Sequence, residues 1–141
     1  RAFATNKLGT SYGEDMAFET LPKKVRTINL DGVVFKMVYV EGGTFRMGAA
    51  DDDASAESYE KPAHNVTLDG YYIGSCEVTN DVWNMVMEGR APTPLEQNDR
   101  FKPVGQKSWT LCQEFVEKLN GQTGMNFRLP TEAQWEYAAR G

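Results

Sequence analysis

The first 26 residues (RAFATNKLGTSYGEDMAFETLPKKVR) carry isolated apolar positions among Gly, Ser, Asn and charged residues, with no steady period of 2 or 3.6. Residues 1–32 therefore read as a linker or a partly ordered N-terminal arm, and 33–141 as the folded part. The pattern sharpens near Thr27, where Asp31-Gly32, a tight-turn dipeptide, separates 27–30 from the β-branched and aromatic run Val33–Val40 (VVFKMVYV). Glu41-Gly42-Gly43 then predicts a turn with positive φ available, folding Thr44–Met47 back on that run as a hairpin. Val66–Leu68 and Tyr71–Cys76 flank Asp69-Gly70 and read as a second strand pair. Three helices follow. Thr79 caps one over 80–88, with Val82 and Val86 on one stripe, Trp83 and Met87 beside them, and Gly89 closing it. Ser108 caps another, apolar at Leu111, Cys112, Phe115, Val116 and Leu119 and ending at Asn120-Gly121. Thr131-Glu132-Ala133-Gln134 is a capping box opening the third, behind Pro130. Residues 49–63 and 90–102 read as loops, and the class that results is α+β.

Bulk properties narrow the function classes. The chain has 141 residues, enough for one domain, and a net charge of −5 with ordinary hydrophobic and charged fractions of 40% and 25%. An acidic balance argues against a nucleic-acid partner, whose phosphates are met by clustered Lys and Arg. No apolar run approaches the roughly 20 residues of a membrane helix. The two cysteines, Cys76 and Cys112, admit a disulfide or two free thiols; the reading favours two buried thiols acting as small hydrophobes. Because Arg1 stands where a methionine would start a chain, a cleaved export signal fits.

Several blocks then occur in order: Gly42-Gly43-Thr44-Phe45-Arg46-Met47-Gly48, Pro62-Ala63-His64-Asn65-Val66, Glu77-Val78-Thr79-Asn80, Pro103-Val104 with Ser108-Trp109, and finally Phe127–Gly141 (FRLPTEAQWEYAARG). Together they resemble the first half of the formylglycine-generating-enzyme, or sulfatase-modifying-factor, family, and the stretch from Phe35 to Gly43 is most similar to its bacterial, often exported, branch. The resemblance implies the N-terminal half of a C-type-lectin-like fold. Two departures stand out. The family has an apolar residue where Lys107 stands, and an Asp or Asn pair where Thr110-Leu111 stand.

Enzymes of that family are copper-dependent oxygenases that convert a sulfatase cysteine to formylglycine, using two cysteines whose soft thiolates suit Cu(I). The resemblance places those cysteines, and the calcium sites, beyond Gly141. It assigns no catalytic, cofactor-binding or metal residue to this chain, and allows calcium and copper only in a longer protein. The expected function is thus a non-catalytic, ligand-binding or structural module of an exported bacterial protein; the alternative is part of the oxidase. Expected partners are the C-terminal half of the domain, or another chain completing the sheet, and a carbohydrate or protein ligand. Without that completion, each buried Leu, Val or Phe left wet forfeits about 1.5–3 kcal/mol of a domain stability of about 5–15 kcal/mol.

The remaining candidates each have a plain reading. His64, the single histidine, reads as a hydrogen-bonded structural residue entering a strand. Asp51–Asp53 with Glu57 and Glu60 offer oxygen ligands for calcium, but lack the spacing and glycine of an EF-hand loop and read as solvated. Asn65-Val66-Thr67 fits a glycosylation acceptor that a bacterial chain leaves unused. Tyr59, Tyr71, Tyr72, Trp83 and Trp109 could stack on a sugar, and are expected mostly in the core.

Overall fold

The computed structural model describes residues 3–6, 9–12, 24–90 and 99–140. At the N-terminus, strands β1 (Phe3–Asn6) and β2 (Gly9–Tyr12) pair antiparallel in a two-stranded sheet of their own. The main sheet has the order β3-β4-β7, built from β3 (Val25–Leu30), β4 (Val33–Val40) and β7 (Tyr71–Gly74). A third sheet pairs β5 (Gly43–Met47) with β6 (His64–Leu68). The helices are α1 (Asn80–Glu88), α2 (Trp109–Thr123) and α3 (Glu132–Arg140). The class is α+β, as the sequence pattern indicates. No helix among the described residues is long and apolar enough to cross a membrane.

Asp31-Gly32 forms the turn between β3 and β4, both residues with positive φ (46° and 94°), and the Asn29 side chain accepts the Gly32 amide at 2.8 Å. Ile28, Leu30 and Val33 alternate inward and are buried. The sheet thus begins at Val25 and takes in residues that the pattern alone assigns to the 1–32 arm, because two inward positions in six residues are too few to mark a strand.

The expected β4–β5 and β6–β7 hairpins do not form. β4 pairs with β3 and β7, while β5 pairs with β6 across the whole acidic loop. The reason lies in Glu41-Gly42 and Asp69-Gly70, which carry the chain from one sheet to the other and press against each other. A Cβ on Gly42 would lie 2.7 Å from the Leu68 carbonyl oxygen and 2.8 Å from the Gly70 nitrogen; one on Gly70 would collide with the Tyr39 hydroxyl. Neither Gly42 nor Gly43 takes positive φ. These glycines permit close backbone approach rather than a reverse turn.

One face of the β3–β4 end packs on α1, and α1 on α2. The core comprises Leu30, Val33, Val82, Trp83, Met85, Val86, Phe115 and Leu119. Trp83 and Phe115 stack face to face, centroids 5.0 Å apart, and the Lys107 ammonium sits 5.2 Å from the Trp83 centroid. That contact gives Lys107 a partner at the edge of the core. Thr79 and Ser108 cap α1 and α2 by accepting the Val82 and Leu111 amides, and Gly89 ends α1 in the left-handed conformation.

Helix α2 outruns its expected end at Asn120-Gly121. Asn120 spends its amide on the returning chain, accepting from the Phe127 nitrogen at 2.6 Å and donating to the Phe127 carbonyl at 3.0 Å. The helix stops three residues later at Gly124, φ 66°. The loop expected over 90–102 lies for residues 91–98 outside the described residues.

Candidate functional site

Helix α3 is the element on which the most distinctive stretch of sequence converges. Thr131 and Gln134 form the anticipated reciprocal cap: the Gln134 nitrogen donates to Thr131 Oγ1 at 3.2 Å, and the Thr131 nitrogen to Gln134 Oε1 at 3.0 Å. Gln134 is one of two buried polar residues among those described. One turn on, Tyr137 packs on Phe45 with centroids 5.0 Å apart, leaving no room for a side chain at Gly43. At the helix end, Glu136 and Arg140 pair at 2.6 Å and together hold both backbone groups of Gly48: the amide donates to Glu136 Oε1 at 3.0 Å, and Arg140 Nη2 donates to the carbonyl at 3.1 Å. The Tyr71 hydroxyl donates to the Gln134 carbonyl at 2.5 Å. Burial first, then the nearby Tyr137, raise the Tyr71 pKa above its ordinary value.

Two open clefts line this helix. One, of about 380 Å³, lies beside its C-terminal half and is bordered by Lys24, Tyr39, Val40, Glu41, Tyr137 and Ala138. The other, of about 270 Å³, lies between the Thr67–Tyr71 crossover and Arg128, Thr131 and Gln134. Their polar side chains are one amine, one guanidinium, one amide, two carboxylates and several hydroxyls, suited to hydrogen-bonding a polar ligand.

The other sequence candidates are scattered. Cys76, just after β7, is exposed and Cys112, on α2, is half-buried; both are free, which corrects the expectation of two buried thiols. Cys76 lies beyond the last paired residue of β7, where no helix covers it. His64 is exposed, its Nδ1 3.2 Å from the Pro62 carbonyl oxygen. Asn65 is exposed on β6, with the Thr67 hydroxyl 2.8 Å from that of Thr44. The aromatics expected mostly in the core are mostly outside it: of the five, only Trp83 is buried, Tyr71 and Tyr72 are half-buried, and Tyr59 and Trp109 are 82% and 70% exposed. Trp135 is 64% exposed as well, although its helix is packed on the opposite side.

No group of three or more His, Cys, Asp or Glu comes together to hold a metal among the described residues. The two cysteines are not joined to each other. In the acidic loop, Asp53 accepts from the Ser55 nitrogen and hydroxyl at 2.9 and 2.6 Å, which lowers its pKa. Glu57 and Glu60 close a short 3-10 turn over Ser58–Glu60.

Two features escape sequence reasoning. Asp81, 3% exposed at the start of α1, receives Arg100 through Nε at 2.8 Å and Nη2 at 2.6 Å, both on Oδ2, while its Oδ1 has no partner among the described residues. Lys61 reaches back into the acidic loop, donating to the Asp51 carbonyl at 3.2 Å and to that of Asp53. Both join residues from different parts of the chain, and no local spacing marks them.

Residues 26–141 match the Sulfatase-modifying factor enzyme 1-like domain. The chain is 31% identical to Chaperone protein LppX of Paenibacillus barcinonensis over 74% of its own length and 45% of that protein. It is 29% identical to the Formylglycine-generating enzyme of Thermomonospora curvata over 74% of its length and 48% of that enzyme. In structure it resembles Treponema denticola variable protein 1 with a TM-score of 0.66 at 23% identity, across 85% of this chain and 58% of that one. The chain spans less than half the length of these curated relatives.

Proposed function

Because this chain belongs to the sulfatase-modifying factor enzyme 1-like family, we propose that it is the scaffold part of a formylglycine-generating-enzyme-like domain serving as a non-catalytic, ligand-binding or structural module of an exported bacterial protein. The observation that carries this reading is the use to which α3 puts its polar side chains. Thr131 and Gln134 satisfy each other's amides, and Glu136 and Arg140 satisfy Gly48, so the family's most distinctive stretch spends its hydrogen bonds on architecture. The two polar clefts beside α3 are where a carbohydrate or peptide ligand would sit, and polypeptide supplying the remainder of the fold would cover Trp135 and Trp109.

A second reading, a part of a copper-dependent formylglycine-generating oxidase, is favoured by the likeness to the Thermomonospora curvata enzyme. One assay separates the two. The full-length protein that contains this chain is incubated with Cu(I), dioxygen and a Cys-x-Pro-x-Arg peptide, and aldehyde formation is followed by mass spectrometry. The scaffold reading expects unchanged peptide; turnover above that of Cu(I) alone overturns it.

A further inference from the structure

We propose that Lys61 is a built-in counter-cation that orders the acidic loop 49–60 and makes its conformation independent of divalent metal. The loop carries five carboxylates, at Asp51, Asp52, Asp53, Glu57 and Glu60. Carboxylates this dense repel one another, weakly where water screens them, and a cation among them relieves that repulsion; calcium commonly does so through carboxylate and backbone carbonyl oxygens. Here backbone carbonyls turn instead toward the Lys61 ammonium, those of Asp51 and Asp53 both accepting from Nζ. The half-buried lysine follows the 3-10 turn directly, so its stem crosses back beneath the loop that precedes it.

The rest of the loop is consistent with a cation fixed at that point. Ala49 donates to the Glu60 carbonyl at 2.8 Å, closing the loop's base, and Asp53 donates to the Ala50 carbonyl at 3.1 Å. Asp53 and the Glu57–Glu60 pair direct carboxylate oxygens at amides of the loop itself: Ser55 donates to Asp53 Oδ1, and Glu57 to Glu60 Oε2 at 2.8 Å. Those oxygens are spent locally, leaving the carbonyls to the ammonium. The loop's base adjoins Gly48, the residue that Glu136 and Arg140 hold. The lysine therefore fixes a loop that is anchored to α3 at one end.

Amide hydrogen exchange read by mass spectrometry tests this in the protein, its Lys61→Gln variant and its Lys61→Arg variant, each with calcium and with a chelator. The expected result is exchange in peptides spanning 49–60 that rises about tenfold or more in Lys61→Gln, rises less in Lys61→Arg, and does not respond to calcium in the parent protein. Peptides of α1 should be unchanged in every case. Unaltered loop exchange in Lys61→Gln, a rise shared equally by α1, or a calcium-dependent slowing in the parent protein would each overturn the proposal.

Discussion

Replacing Glu136 by alanine probes the join between α3 and β5. The carboxylate is largely buried, at 20% side-chain exposure, and accepts the Gly48 amide at 3.0 Å. A hydrogen bond to a charged group contributes about 1.5–3 kcal/mol. Its i,i+4 pair with Arg140, whose side chain is 54% exposed, adds no more than about 0.3–0.5 kcal/mol. Alanine's better helix propensity returns a few tenths, about 0.4 kcal/mol. The net loss expected for Glu136→Ala is thus about 2 kcal/mol. Glu136→Gln keeps an acceptor for Gly48 and should cost about 1 kcal/mol. Arg140→Ala, which removes only the exposed half of the latch, should cost less than that. Urea unfolding measures all three, as shifts in midpoint at unchanged slope. If Glu136→Ala fell within the ±0.5 kcal/mol typical of surface substitutions, or if Glu136→Gln were as damaging as Glu136→Ala, the bond to Gly48 would not be what fastens the helix.

Glycine substitutions should divide by what surrounds them. Gly42→Ala drives a methyl group into the backbone of Leu68–Gly70 and should destabilise by about 1–3 kcal/mol or more, whereas Gly121→Ala, inside α2 with nothing within 4 Å, should stabilise by about 0.5–1 kcal/mol; equal effects on the thermal midpoint would contradict the crossover argument. Tyr71 gives a pH dependence at the alkaline end. Its folded-state pKa is raised above 10.0, so its contribution is intact below pH 10 and is lost as the pH rises through the folded value, because the unfolded chain releases that proton first. Stability of the parent protein should therefore fall more steeply above pH 10 than that of Tyr71→Phe, and coincident curves would refute it.

Much of the local structure was legible because its cause is local. Thr79, Ser108 and the Thr131–Gln134 box act within four residues of themselves, and each caps the helix that the sequence assigns to it. The stripe Val82, Trp83, Val86, Phe115 and Leu119 is read from helical spacing alone and lies in the core. Strand pairing was not legible. Each of the runs Val33–Val40, Thr44–Met47, Val66–Leu68 and Tyr71–Cys76 is visible as a strand, but adjacency along the chain suggests hairpins, and the glycines between them look like turn formers. Only the close approach of Gly42 to residues 68–70 makes both segments crossovers, and that contact joins residues 26 or more positions apart.

The same division separates the scaffold from the surface. Asp81–Arg100, Lys61 with the Asp51 and Asp53 carbonyls, and Glu136–Arg140 with Gly48 are all polar contacts whose partners lie between 8 and 92 positions away. Sequence sees their members as ordinary surface charges, since single charged residues in loops or at helix ends carry no period. Yet each one holds a connecting segment onto a helix or closes a loop, which is where a domain with three small sheets has little apolar area to offer. These polar side chains thus join elements that the short strands and modest core do not join by burial. Thr131, Gln134, Glu136 and Arg140, in the most recognisable stretch, are all committed in this way. Beside α3, the two clefts bring opposite charges to their rims, Lys24 with Glu41 in one and Arg128 with Asp69 in the other.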